Sequence, residues 1–315
     1  MSKRRPSSSS SSSSTPSLIN VSFDFFNPNP KVDYHALTRL LSQLFSRDAE
    51  RLQIPSLVEL ILAQPRVGTT IKTGDAEEGE EGDPYAVLSV VNVNVHLQRG
   101  NGGVRAVVEY VLGKAAEAEV RGEGVGLCEE LKRLLTNGQG QGQGQENERH
   151  HVGLVICERL VNMPVQVVPP MYRMLVDEID GALRDGEPYR FSHLLFISRA
   201  YHLSEEEEAL LAHPSTRRQP KSKKMRPATS QQQQQERPRD GVYSFHPEDD
   251  LISQVSSHTL TYTYTTPAPT ERGKEAFGLD VRGRMMLVPL VDANGEENGT
   301  LRRLVDRMGE VYSTG

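Results

Sequence analysis

Cysteine is scarce in this 315-residue chain: Cys128 and Cys157 are the only two, far apart and in no Cys-x-x-Cys pair. A reduced, intracellular setting is expected. Long apolar runs are missing too. None approaches the roughly 18 residues of a membrane span, so no membrane partner is expected. The opening Met-Ser-Lys-Arg-Arg-Pro runs into serines without an apolar core segment, so a signal peptide is not expected. Catalytic signatures are equally thin. The serines, Ser198 and Ser244 among them, lack a Gly-x-Ser-x-Gly elbow. His150-His151 has no companion at ligand spacing. The G-x-G matches in Gly138 to Gly144 belong to a low-complexity repeat, where dinucleotide binding is not expected. No catalytic, cofactor or metal residue is assigned.

What the chain does carry is uneven charge. The net charge is −6, but residues 1–16 hold three basic side chains and no acid, and residues 213–240 hold eight basic and two acidic. Everything else holds 25 basic and 40 acidic side chains, a net of −15. An acidic body with two basic tags repels nucleic acid phosphates and attracts basic proteins. Direct nucleic acid binding is therefore not expected.

Composition then divides the chain. Residues 1–17 are a serine-rich tail expected to be disordered, and 213–240 are a basic and polyglutamine linker expected to be the same. Residues 18–212 and 241–312 are expected to make one α/β domain. Asn20 to Phe26 reads as a first strand, and Asp33 can cap a helix bearing Leu37, Leu40, Leu41, Leu44 and Phe45. A second helix runs from about Ser56 to Pro65, then a strand from Val67 to Thr73 and an acidic loop from Asp75 to Asp83. Tyr85 to Leu97 reads as one strand, with Val91, Val93 and Val95 alternating against Asn92 and Asn94. Val104 to Ala118 and the leucines 127, 131, 134 and 135 mark two more helices.

The centre of the chain is the stretch from Val152 to Leu183. Val152 to Cys157 is an unbroken apolar run, as expected of a strand buried on both faces. Pro169 and Pro170 suit a helix's first turn, and Met171, Leu175, Ile179 and Leu183 recur every fourth residue. This is strand, turn and amphipathic helix, half of a βαβ unit. Further strands are expected at Phe191 to Leu203, Thr259 to Thr265 and Arg284 to Val291, with a last helix through Leu301, Leu304, Val305 and Met308. The two late strands follow one another without a helix. That order predicts a single mixed β-sheet flanked by helices.

Three features point to function. Arg121-Gly-Glu-Gly-Val-Gly126 looks like the R-x-x-G-x-G loop by which acetyltransferases of the GNAT type hold the coenzyme A pyrophosphate, but such a loop should follow the central strand. The central strand is followed instead by Asn162-Met-Pro164, without glycine. Glu158 and Arg159 stand at the strand's carboxyl end, where open sheets place ligands, or where an ion pair orients the strand end. Arg217, Arg218, Lys221, Lys223, Lys224 and Arg226 form a dense basic cluster that suits nuclear import receptors, with Lys3-Arg4-Arg5 a smaller one.

Phe23-Asp-Phe-Phe26, Asp33-Tyr-His-Ala-Leu37, Asp83-Pro-Tyr85, Glu158-Arg-Leu-Val-Asn-Met-Pro164, Val168-Pro-Pro-Met-Tyr172 and Phe245-His-Pro-Glu-Asp249 together resemble the BCCIP family, over about residues 20–312. The resemblance implies a distantly GNAT-like core without acetyltransferase chemistry. It also implies a nuclear and cytoplasmic protein active in nuclear export. Its client would be a basic large-subunit ribosomal protein, and its other partners the nuclear import and export receptors. Glu158, Arg159, Asn162 and Pro164 are the candidate partner-binding residues. The basic serine-rich opening departs from the family's acidic tails. An acyltransferase on a GNAT-like scaffold is the alternative.

Overall fold

A computed structural model describes residues 22–73, 82–137, 151–212, 240–267, 280–292 and 294–312. The acidic loop, the Gly-Gln repeat, the basic cluster and the serine-rich tail lie outside them, apart from Gly82 and Asp83.

The centre of the molecule is β4 (His151–Arg159), and it is an interior strand. It pairs antiparallel with β3 (Ala86–Asn92) and parallel with β5 (Phe191–His202). The sheet continues outward from β3 to β2 (Thr69–Thr73) and β1 (Phe23–Phe26). On the other side β5 pairs with β8 (Asp280–Pro289), and β8 with β7 (His258–Tyr262). The short β6 (Val242–Ser244) pairs with the end of β5, past the end of its pairing with β4. The β4–β5 pair is the parallel one among antiparallel neighbours, so the eight-stranded sheet is mixed.

Both faces of the sheet are covered, and this explains the apolar run. Leu154, Ile156, Leu195 and Ile197 pack with α1 (Tyr34–Phe45), α2 (Ile54–Leu62), α4 (Gly102–Val120) and α5 (Leu127–Asn137). Val155, Leu194, Phe196 and Met286 pack on the other face with α6 (Val168–Arg184), α8 (Glu248–Val255) and α9 (Gly299–Tyr312). A strand buried on two sides has no polar face to alternate with. Helix α6 starts at Val168 with its two prolines in the first turn, where a missing N–H has no partner to lose. It buries Met171, Leu175 and Ile179, while Leu183 is only partly buried.

Two local expectations are corrected. The strand through Tyr85 to Leu97 ends at Asn92, and Val93–Gln98 is a short helix, α3. Asn92 accepts a hydrogen bond from the Val95 N–H at 3.1 Å and so caps that helix. Asn94 is buried as well: its amide donates to the Leu134 carbonyl, and its oxygen accepts from the Val152 N–H at 2.8 Å. The apparent alternation of valine with asparagine was two hydrogen-bonding devices. Likewise Asp33 precedes α1, but its side chain does not cap the helix. It forms a fully buried ion pair with Lys72 at 2.7 Å, which ties the start of α1 to β2.

Candidate functional site

The parallel pair β4–β5 directs two chain ends to one side of the sheet, and there the polar residues gather. Glu158 closes β4 fully buried. Its carboxylate accepts from Gln43 at 2.8 Å, from Arg199 at 2.9 and 3.1 Å, and from His246 at 3.1 Å. Arg159, also buried, is bound through both guanidinium NH groups by the carboxylate of Glu248, one contact at 2.8 Å. Ser198 donates to Asp249. Phe245 lies under the Arg199 guanidinium, 4.6 Å from ring centroid to Cζ. Glu158 and Arg159 are adjacent in sequence, yet their side chains pair with different partners.

Burial and charge set the protonation of this network. Burial raises the Glu158 carboxyl, but His246 and Arg199 outweigh that and hold it below the usual range. Burial lowers His246, but its hydrogen bond to Glu158 and that carboxylate's charge leave it raised. Asp249 is pushed up to about 7, chiefly by burial, with Glu248 repelling it and His246 drawing it down. Burial also pushes the Cys157 thiol to about 12, so it is poorly suited to thiolate chemistry.

The candidate partner-binding residues therefore divide. Glu158 and Arg159 are inside the network and buried. Asn162 and Pro164 are exposed in the turn between β4 and α6, next to Val161, which is 71% exposed. The basic cluster at Arg217, Arg218, Lys221, Lys223, Lys224 and Arg226 lies outside the described residues. Sequence reasoning missed His246, Glu248 and Asp249 as partners of the strand end. Their signal was present in Phe245-His-Pro-Glu-Asp249, a histidine and two acids around a helix-starting proline. Spacing alone does not tell which strand such a segment meets.

The Arg121–Gly126 turn joins two helices, α4 and α5, instead of following a strand. Gly122, Gly124 and Gly126 each take positive φ, which glycine adopts without strain. At the α5 start the Cys128 N–H already donates to the Glu119 carboxylate at 3.2 Å. An incoming pyrophosphate would have to displace that carboxylate from an amide it needs.

An open groove lies among the α4–α5 turn, β6 and β7. Two cavities of about 450 and 480 Å³ share Glu123, Asp240, Val242 and Thr261 in their walls. Arg121, His202 and Arg282 also line the first, Asp250 and Arg284 the second. Strand β7 forms its rim, and the α4–α5 turn packs beside that strand, with a Cβ at Gly124 only 3.2 Å from Leu260.

Known proteins resemble this chain over most of its length. The BCCIP family model matches residues 18–252. The chain is 33% identical to protein bcp1 of Schizosaccharomyces pombe, over 94% of this chain and 91% of that protein. It is 35% identical to protein bcp1 of Aspergillus fumigatus, over 86% of this chain and 82% of that one. The crystal structure of BCP1 from Saccharomyces cerevisiae superposes with a TM-score of 0.54 at 24% identity, covering 92% of this chain and 89% of that one, a likeness of fold. None of these names is an enzyme name. With the family model matching well over half its length, and with Glu158, Arg159 and the 245–249 motif joined in one network, the chain belongs to the BCCIP family.

Proposed function

We propose that this protein is a non-enzymatic escort of a lysine- and arginine-rich large-subunit ribosomal protein, shuttling between nucleus and cytoplasm and serving nuclear export and ribosome assembly. The observation that carries the reading is the charge of the body, a net of −15 outside the two basic tags. Such a surface speeds encounter with a basic client and screens it from RNA. Membership in a family whose relatives carry no enzyme name supports a binding role. On this reading a distantly acetyltransferase-like sheet serves as a binding scaffold, and exposed Asn162 and Pro164 are available to a partner where Glu158 and Arg159 are not.

Acyl transfer is the competing reading, and two features speak against it. Pro164 lacks the N–H that an anion cradle after β4 would use. The helix start beside the glycine turn is taken by Glu119. Titration calorimetry with acetyl-coenzyme A should register no binding. A micromolar dissociation constant would reinstate the acyltransferase.

Shuttling requires an address. Changing Arg217, Arg218, Lys221, Lys223, Lys224 and Arg226 to Ala should reduce nuclear accumulation of a fluorescent fusion. If the variant stays as nuclear as the parent, this cluster is not the main signal.

A further inference from the structure

The buried network holds one element by charge as much as by apolar contact. Helix α8 buries two apolar side chains, Leu251 and Ile252, with Val255 partly covered. Its first turn, Glu248 and Asp249, is buried as well, and so is His246 before it. On either side the chain is fixed without the network. Strand β6 pairs with β5, and the Tyr243 hydroxyl donates to Glu208 of α7 (Glu205–Ala212) at 2.9 Å. Strand β7 pairs with β8. The place of residues 246–255 therefore depends on the ionic contacts of their first turn.

Those contacts leave one acid over. Three carboxylates, Glu158, Glu248 and Asp249, are buried with Arg159, Arg199 and His246. Arg159 is committed to Glu248, and Arg199 and His246 to Glu158. Asp249 has the hydroxyl of Ser198 and makes no ion pair among the described residues. Arg284 on β8 bears on it from further off, but that guanidinium is engaged by Ser244 and Asp250. Cys157 of β4, Tyr172 of α6 and Tyr312 of α9 also face Asp249, and burial raises all three, so they are neutral at pH 7. A buried carboxyl without a counter-ion is far less costly with its proton on than with it off.

We propose that the first turn of α8 is a proton-operated latch. With a proton on Asp249, residues 246–255 lock onto the ends of β4 and β5. When that proton leaves to water, they open locally while the sheet stays folded. Asp250 and Ser253 of the same helix line the cavity of about 480 Å³, so opening changes the groove wall. The device goes beyond the escort reading and is independent of it. Burial holds the Asp249 carboxyl at about 7, against 3.8 where water reaches it. The open population should therefore rise with pH, by up to about tenfold per unit between those values, and level off above them. His246, raised by its bond to Glu158, adds to the rise only above 6.5. Glu158, held low, acts only below its ordinary value of 4.5.

Hydrogen exchange of the full chain at about pH 5 and about pH 6, corrected for the intrinsic rate of each amide, isolates Asp249 from both neighbours. In the parent, amides of 252–255 should exchange through a local opening that low urea barely changes, while those of β4 depend steeply on urea. The opening constant of 252–255 should rise about tenfold between the two pH values. Asp249→Asn keeps an acceptor for Ser198 and carries no charge, so its opening constant should be the same at both. Exchange of 252–255 only by global unfolding, with the urea dependence of β4, would overturn the proposal. So would a pH-independent opening in the parent, a readout that needs no variant to fold. An undiminished tenfold rise in Asp249→Asn would overturn it as well.

Discussion

Arg159 depends on a single carboxylate. Glu248 binds both of its guanidinium NH groups, and the pair is almost wholly buried. Removing one partner strands a charge that water cannot reach, while removing both leaves only a packing problem. Arg159→Ala should therefore destabilise the fold by about 3–5 kcal/mol. Arg159→Met combined with Glu248→Leu should cost clearly less than the two single changes added together. Urea unfolding of the three variants checks this, and strict additivity would show that the two side chains do not act as a pair. Asp249 gives the network a pH signature. Its carboxyl titrates near 3.8 when unfolded and near 7 when folded, so the folded state holds the proton more tightly. Its contribution to stability is present below pH 4 and is lost as pH rises to about 7. His246 acts in the same direction, because its folded pKa is raised: its contribution is full below 6.5 and is lost as pH rises above that value. Glu158, held low, loses its contribution only in acid. Stability of the parent should fall from pH 4 to pH 7, and Asp249→Asn should flatten that slope. Parallel slopes would mean Asp249 does not carry it.

At the scale of elements, packing around Gly283 sets the position of the outer strands. A Cβ there would lie 2.3 Å from the ring of Tyr262, which covers the glycine from the neighbouring strand. Gly283→Ala must push that buried ring aside, so a cost of about 1–3 kcal/mol is expected from thermal or urea unfolding. An unchanged midpoint would show that the β7–β8 pair is not held by this contact. The elements most legible in the sequence were those whose pattern follows from burial alone. Strand β4 is covered on both faces, and α6 shows one apolar stripe behind a proline pair, so periodicity sufficed. Helix α3 was hidden because Asn92 and Asn94 resemble the polar half of a strand while acting as a cap and a cross-link. Asp33 misled for a related reason: a capping residue type is also an ion-pair type, and Lys72 is 39 positions away. The network at the strand ends was half legible. Glu158, Arg159, His246, Glu248 and Asp249 stood in the motifs, Arg199 and Gln43 did not, and the pairing of Glu158 with Arg199 and His246 spans 41 and 88 positions that only the fold closes.

At the scale of the whole molecule, the proposed escort role leaves the sheet and its buried ionic network as scaffold and puts client binding on the surface. Individual exposed ion pairs are worth roughly 0–1 kcal/mol, too little to hold a client. Many carboxylates acting together raise the encounter rate instead, and apolar contact supplies residence. Salt is therefore expected to act mainly on association. The deciding measurement is the association rate of the full chain with a purified lysine- and arginine-rich large-subunit ribosomal protein as ionic strength is raised. Above about 0.15 M, where the screening length is about 8 Å, the rate should fall steeply while dissociation changes much less. A flat association rate, or equal affinity for an acidic protein of similar size, would contradict the escort function.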